Sequence, residues 1–211
     1  KLDQFIPSYV MGAGAFTDLA IATHRPTKRM LAIKCIDKSA ALAMPEVIVR
    51  VVSEREILAH IKHDDIVELG FVWQDSTRVY IGVDYMCGGT LQYHIKSSHD
   101  FKLREQAIRI WFAEVASALH YLHQNSIVHR DVKPENIVLD KRGHAYLTGF
   151  GLAERVTGTF LTDVVGSESY MAPELLQLRD ENAMVPGYNY CVDWFALGVT
   201  LCELLTQKHP F

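Results

Sequence analysis

No run of apolar residues in this sequence approaches the about 20 needed to cross a bilayer, and no leader-like pattern opens it. A membrane-spanning reading is thereby set aside. An excess of one charge is also lacking: 21 Lys and Arg stand against 25 Asp and Glu, for a formal net charge of −4 and a pI near 6.2. That balance leaves no footprint for nucleic acid or an anionic membrane surface. Cysteine is scarce. Cys35, Cys87, Cys191 and Cys202 lie in apolar segments without zinc-like spacing, and are read as buried free thiols of a reducing compartment. Internal repeats and low-complexity tracts are missing, which excludes solenoids and disordered linkers. The first residue is Lys rather than Met, and the last segment is still strongly apolar. Both facts suggest a piece of a longer protein.

What is present is apolar mass. With 49% hydrophobic residues in 211, the chain can bury a sizeable core, as one large domain or two small lobes. The first third alternates like sheet. Tyr9–Met11, Leu19–Ala22 and Met30–Ile36 are short β-like runs set apart by turn residues such as Arg25-Pro26-Thr27. From about Pro45 to Ile61 the pattern turns helical, with Glu54, Arg55 and Glu56 among Val51, Ile57, Leu58 and Ile61. Two further strand-like runs, Val67–Trp73 and Arg78–Asp84, lead to Cys87-Gly88-Gly89, a natural joint.

Beyond the joint the pattern is mainly helical. Ile108, Trp111, Phe112, Val115, Leu119 and Leu122 recur at helical spacing and predict one amphipathic helix over Glu105–Gln124. Residues 191–205 are apolar nearly all round and read as a helix at the centre of a core. Residues 126–175, between these helices, are short strands and loops dense in polar side chains. A polar loop region held by rigid helices is where chemistry is expected.

The most specific stretch is His129-Arg130-Asp131-Val132-Lys133-Pro134-Glu135-Asn136. It resembles the catalytic loop of a eukaryotic protein kinase of the serine/threonine type, and the resemblance puts the rest of the chain in register. The implied fold is α+β and two-lobed. Residues 1–86 would form an N-lobe with a five-stranded antiparallel sheet and one helix. Residues 87–211 would form a mainly helical C-lobe that stops short of the family's last helices. Gly88–Ile95 and the VDWFALGVT stretch are most similar to the AGC group, and within it to the YANK-type branch.

The resemblance also implies roles. Gly12 and Gly14 look like the glycine-rich loop, whose backbone N–H groups approach phosphates; the third glycine of that pattern is Thr17 here. Lys34, in Leu31-Ala32-Ile33-Lys34, would hold the α- and β-phosphates. Glu54 would be its partner on the following helix, with Glu56 the competitor about 200° away in helical phase. Asp131 resembles the catalytic base, Lys133 the cation that steadies the transferring phosphate, and Asn136 a magnesium ligand. Leu19, Ala32 and Val138 would sandwich an adenine ring, with Asp84 and Met86 bonding it through their backbones. His129 reads as a packed spine residue, with Leu58, Leu69 and Phe150, rather than an acid–base catalyst. Counting back from Gly166 puts the usual activation-loop phosphosite at Asp163, where a carboxylate could hold Arg130 permanently.

One position departs from the family. In Leu147-Thr148-Gly149-Phe150-Gly151 the metal-binding aspartate is replaced by Gly149. ATP binding is therefore expected, and magnesium binding is in doubt. Three functions stay open: a pseudokinase that binds ATP as a scaffold or allosteric regulator, an active kinase acting on protein Ser/Thr, and a structural subunit with a vestigial nucleotide site. All three imply a protein partner or substrate, no nucleic acid and no membrane span. They imply an intracellular setting in which cytoplasm and cytoskeleton are both open.

Overall fold

The computed structural model describes residues 2–13, 17–98, 103–180 and 184–211, with the backbone alone at residues 2 and 9–13. The chain divides into two compact units, Lys1–Lys62 with Val67–Met86 and His63–Ile66 with Cys87–Phe211.

The first unit is built on a five-stranded sheet of order β1-β2-β3-β5-β4: β1 Phe5–Ala13, β2 Thr17–His24, β3 Met30–Asp37, β4 Leu69–Gln74 and β5 Arg78–Asp84. Every pairing in it is antiparallel. Alternation gives the sheet two faces. On one of them Phe5, Ala22, Leu31, Ile33 and Tyr80 form a buried cluster, with Phe5 stacked on Trp73 and Trp73 on Tyr80. Two helices interrupt the strands. The short α1, Lys38–Leu42, starts where the Asp37 carboxylate accepts from the Ser39 and Ala40 N–H groups at 2.9 and 3.1 Å. α2, Pro45–His60, begins with a proline at its first turn and buries only Glu54, Ile57 and Leu58.

The second unit is mainly helical. α3, Leu91–Ser97, is capped by the Thr90 hydroxyl, which accepts from the Tyr93 N–H. α4, Glu105–Gln124, buries Ile108, Trp111, Val115, Ala118, Leu119 and Leu122, a single stripe at i, i+3, i+4 and i+7 spacing. α5, Pro173–Gln177, and α6, Cys191–Thr206, complete the helices. Between α4 and α5 run β6 Ile127–Val128 paired with β9 Glu154–Arg155, and β7 Ile137–Leu139 paired with β8 Ala145–Leu147. No helix among the described residues is long and apolar enough to cross a membrane.

Two expectations need correction. The cysteines are free, but Cys87, Cys191 and Cys202 are exposed and Cys35 is half-buried. Apolar neighbours in sequence do not bury a residue that points outward, as Cys202 does on α6. For the same reason α6 is not enclosed all round: Trp194 is 40% and Leu205 44% exposed along one side.

Candidate functional site

In the first unit Lys34 sits mid-strand on β3, opposite Leu19 of β2 and Ile81 of β5. The two-residue period puts Lys34 and Ala32 on the face away from buried Leu31 and Ile33. The Lys34 Nζ donates to Glu54 Oε2 at 2.6 Å. Glu54 is buried, whereas Glu56 is exposed and turned away. A buried carboxylate needs a paired cation, and the lysine supplies it. Asp84 closes β5 with its carboxylate taken by Arg29, at 2.6 Å from Nη2 and 3.1 Å from Nε. Its side chain is thus committed to Arg29. Met86 follows, half-buried. Gly12 lies on β1 opposite Leu19; Gly14 falls outside the described residues.

In the second unit the catalytic-loop sequence is braced from below. Asp193 of α6, 1% exposed, accepts from the His129 N–H at Oδ2 and the Arg130 N–H at Oδ1, both at 2.8 Å. The ring of His123 lies 2.8 Å from its Oδ2. The His129 ring is fully buried, packs edge-on against Phe150 and has Nε2 2.9 Å from the Thr148 carbonyl. Burial holds its imidazole below the usual histidine range. Nothing leaves it free to exchange protons with a substrate.

Above this floor Asp131, Lys133, Asn136 and Ser167 form one network. Ser167 donates to Asp131 Oδ1 at 2.7 Å, and Lys133 Nζ stands 3.0 Å from Oδ2 and donates to Ser167 Oγ at 2.5 Å. Asn136 Nδ2 donates twice, to the Asp131 carbonyl and to Asp131 Oδ2, each at 2.7 Å. Gly149 follows β8 in the left-handed region, at φ +83° and ψ 41°. Val138 of β7 pairs with Tyr146 and is half-buried.

Arg130 has a set of partners that residue counting did not find. Its guanidinium, 6% exposed, donates to Glu154 Oε2 at 2.8 Å, to the Leu152 carbonyl at 2.6 Å and to Tyr188 Oη at 3.1 Å. The Asp163 carboxylate stands 4.0 Å away, and Tyr188 donates instead to the Asp163 carbonyl at 2.7 Å. Removing Glu154 leaves a buried cation short of its nearest counter-charge, whereas removing the 73%-exposed Asp163 side chain does not. Glu154→Ala is therefore expected to speed protease cleavage across residues 152–170 by about 5-fold under conditions that report the open population, with Asp163→Ala changing it little. Equal effects from both would show that the carboxylate at 154 does not hold the segment.

The first unit also carries a groove of about 640 Å³, lined among others by Ala41, Leu42, Ile48, Val52, Val72 and Trp73. The sequence reading missed it because α1 went unrecognised. The signal was present in Asp37-Lys38-Ser39, an N-cap residue ahead of a short helix.

With this geometry in view, comparison with known proteins gives a consistent answer. The family model described as "Protein kinase domain" matches residues 6–211. Serine/threonine-protein kinase 32B of Homo sapiens is 36% identical over 212 residues, covering 100% of this chain and 50% of that protein. Serine/threonine-protein kinase 32C of Mus musculus is 37% identical, covering 100% and 42%. Serine/threonine-protein kinase Sgk1-B of Xenopus laevis is 38% identical over 209 residues, covering 96% and 45%. The chain belongs to the protein kinase family, with the fold of a serine/threonine kinase domain and relatives of AGC type. It spans half or less of the length of these relatives.

Proposed function

We propose that this chain is a pseudokinase, a kinase domain that binds ATP with little help from magnesium, has impaired phosphoryl transfer, and acts on a protein partner inside the cell as a scaffold or allosteric regulator. The observation that carries this reading is Gly149, where the family's metal-binding carboxylate is missing. Lys34, fixed by Glu54, supports the nucleotide part: a cation held by a single carboxylate can still meet phosphate oxygens. The donor set does not fit a hard divalent cation. Magnesium takes near-octahedral oxygen ligands, with one or two protein carboxylates. Here Gly149 offers none, and both oxygens of Asp131 already accept from Ser167, Lys133 or Asn136.

The second reading, an active kinase transferring the ATP γ-phosphate to protein Ser/Thr, is favoured by the intact Asp131–Lys133–Ser167 network. Melting the protein with millimolar ATP, with magnesium or with a chelator, separates the readings. At ATP about 100-fold above its Kd, a stabilisation of about 2.7 kcal/mol should raise the melting temperature by about 5–10 °C in either condition. A rise confined to magnesium would favour the active kinase, and no rise in either condition would favour the vestigial site.

A further inference from the structure

We propose that Asn136 has exchanged the role of metal ligand for that of a positioning residue. Its carboxamide occupies the space a side chain at 149 would need, and it clamps the Asp131 carboxylate. The inference rests on the reading above that this chain forgoes magnesium, and it names what the vacated ligand position became.

Three observations carry it. First, the Asn136 amide nitrogen has two protons and both are used, on the Asp131 carbonyl and on Asp131 Oδ2 at 2.7 Å each. An amide ligates a metal through its oxygen, and these two bonds on the nitrogen fix the amide plane, and with it the direction of Oδ1, against Asp131. Second, a Cβ built on Gly149 would stand 2.5 Å from Asn136 Oδ1 and 2.7 Å from Nδ2, and closer still to Cγ. Real Cβ atoms do not approach so near, so any other residue at 149 must displace the amide. Third, the clamp completes a closed set on Asp131. Ser167 holds one carboxylate oxygen, while Lys133 and Asn136 hold the other. The carboxylate is fixed in orientation by charge-assisted bonds from three separate chain positions.

Gly149 and Asn136 are thus one coupled feature. The glycine is what gives the amide its seat, and the amide is what an aspartate at 149 would have to evict.

A double-mutant cycle in the full chain, read by thermal melting, tests this. Asparagine is the substitution of choice at 149, because it tolerates the left-handed backbone and matches aspartate in shape without its charge. Gly149→Asn and Asn136→Ala should each lower the melting temperature by about 2–10 °C. The double variant should fall by clearly less than the sum, since with the amide gone the new side chain at 149 displaces nothing. Should Gly149→Asn fail to fold, recovery on adding Asn136→Ala is the same result, and failure of both to fold overturns the proposal. Additive effects overturn it as well, whatever ATP does. In a metal arm, millimolar magnesium with ATP should raise the melting temperature of Gly149→Asp and leave Gly149→Asn unmoved. An equal rise in the natural sequence and both variants would show that the ligand position was never given up. Failure of ATP to bind sinks the nucleotide reading alone, because the coupling is measured without ligand.

Discussion

Replacing Asp193 by Ala should lower the melting temperature by about 6–20 °C, the largest stability loss expected from any single substitution in the second unit. The carboxylate is 1% exposed and serves three donors, the His129 and Arg130 N–H groups and the His123 ring. Alanine would orphan two backbone donors in the interior, where an unpaired N–H is strongly disfavoured. Arg130 also sits at φ +66°, a region that non-glycine residues hold only when their surroundings enforce it. The bonds to Asp193 are that enforcement. Breaking a buried charged cluster by removing one member typically costs about 3–5 kcal/mol, and at this chain length each kcal/mol is worth about 2–4 °C. A shift under about 2 °C would show that packing around Val192 and Leu197, not the carboxylate, sets the loop. Acid should act in the same place. His129 has a folded pKa below its unfolded value of about 6.5, so the stability its neutral ring provides is present above that pH and lost as pH falls below it. Unfolding free energy measured from pH 7 to pH 5 should decline accordingly.

Much of this was legible in the sequence, for physical reasons that differ from element to element. β5 was read with its observed bounds because Arg78–Asp84 is a β-rich run between turn residues, and α4 because its apolar stripe keeps one helical phase along its whole length. The choice of Glu54 over Glu56 rests on the family register that the stretch Glu54-Arg55-Glu56-Ile57-Leu58 resembles; helical phase adds only that the two cannot share a face. The short helices α1 and α3 escaped because five or seven residues carry too few buried positions to show a period: Ala41 in one, Leu91 and Ile95 in the other. Their caps, Asp37 and Thr90, were the only readable signals. Loop geometry was least accessible. Counting residues points to Asp163 as a partner of Arg130, and its carboxylate does stand 4.0 Å from Nη1, but β9 pairs with β6 and brings Glu154 nearer than any sequence spacing could indicate. The state of Asn136 was hidden for another reason. The same residue in the same motif can face a metal or brace a neighbour, and what decides is the absence of a side chain at Gly149, which the β7–β8 pairing brings beside it.

Restoring aspartate at 149 should raise phosphoryl transfer from ATP to a protein or peptide substrate by at least about 10²-fold in the presence of magnesium. A single pre-organised group that stabilises charge in the transition state is typically worth about 3–4 kcal/mol, or about 10²–10³ in rate. Two changes would act together. The new carboxylate supplies the missing oxygen ligand, and by taking the space beside Asn136 it frees that amide from Asp131 Oδ2. Asp131, left with Ser167 and Lys133, would then have one acceptor position open for a substrate hydroxyl. The left-handed backbone at 149 is no barrier, because aspartate tolerates it better than most residues. Gly149→Asn separates the two contributions: it evicts the amide but brings no charge, so it should recover little of the rate. Transfer by the natural sequence equal to that of Gly149→Asp would mean that another group already anchors the metal, and the pseudokinase reading would then give way to that of an active kinase. A rise in Gly149→Asn matching that in Gly149→Asp would instead locate the whole defect in the clamp on Asp131 rather than in the lost ligand.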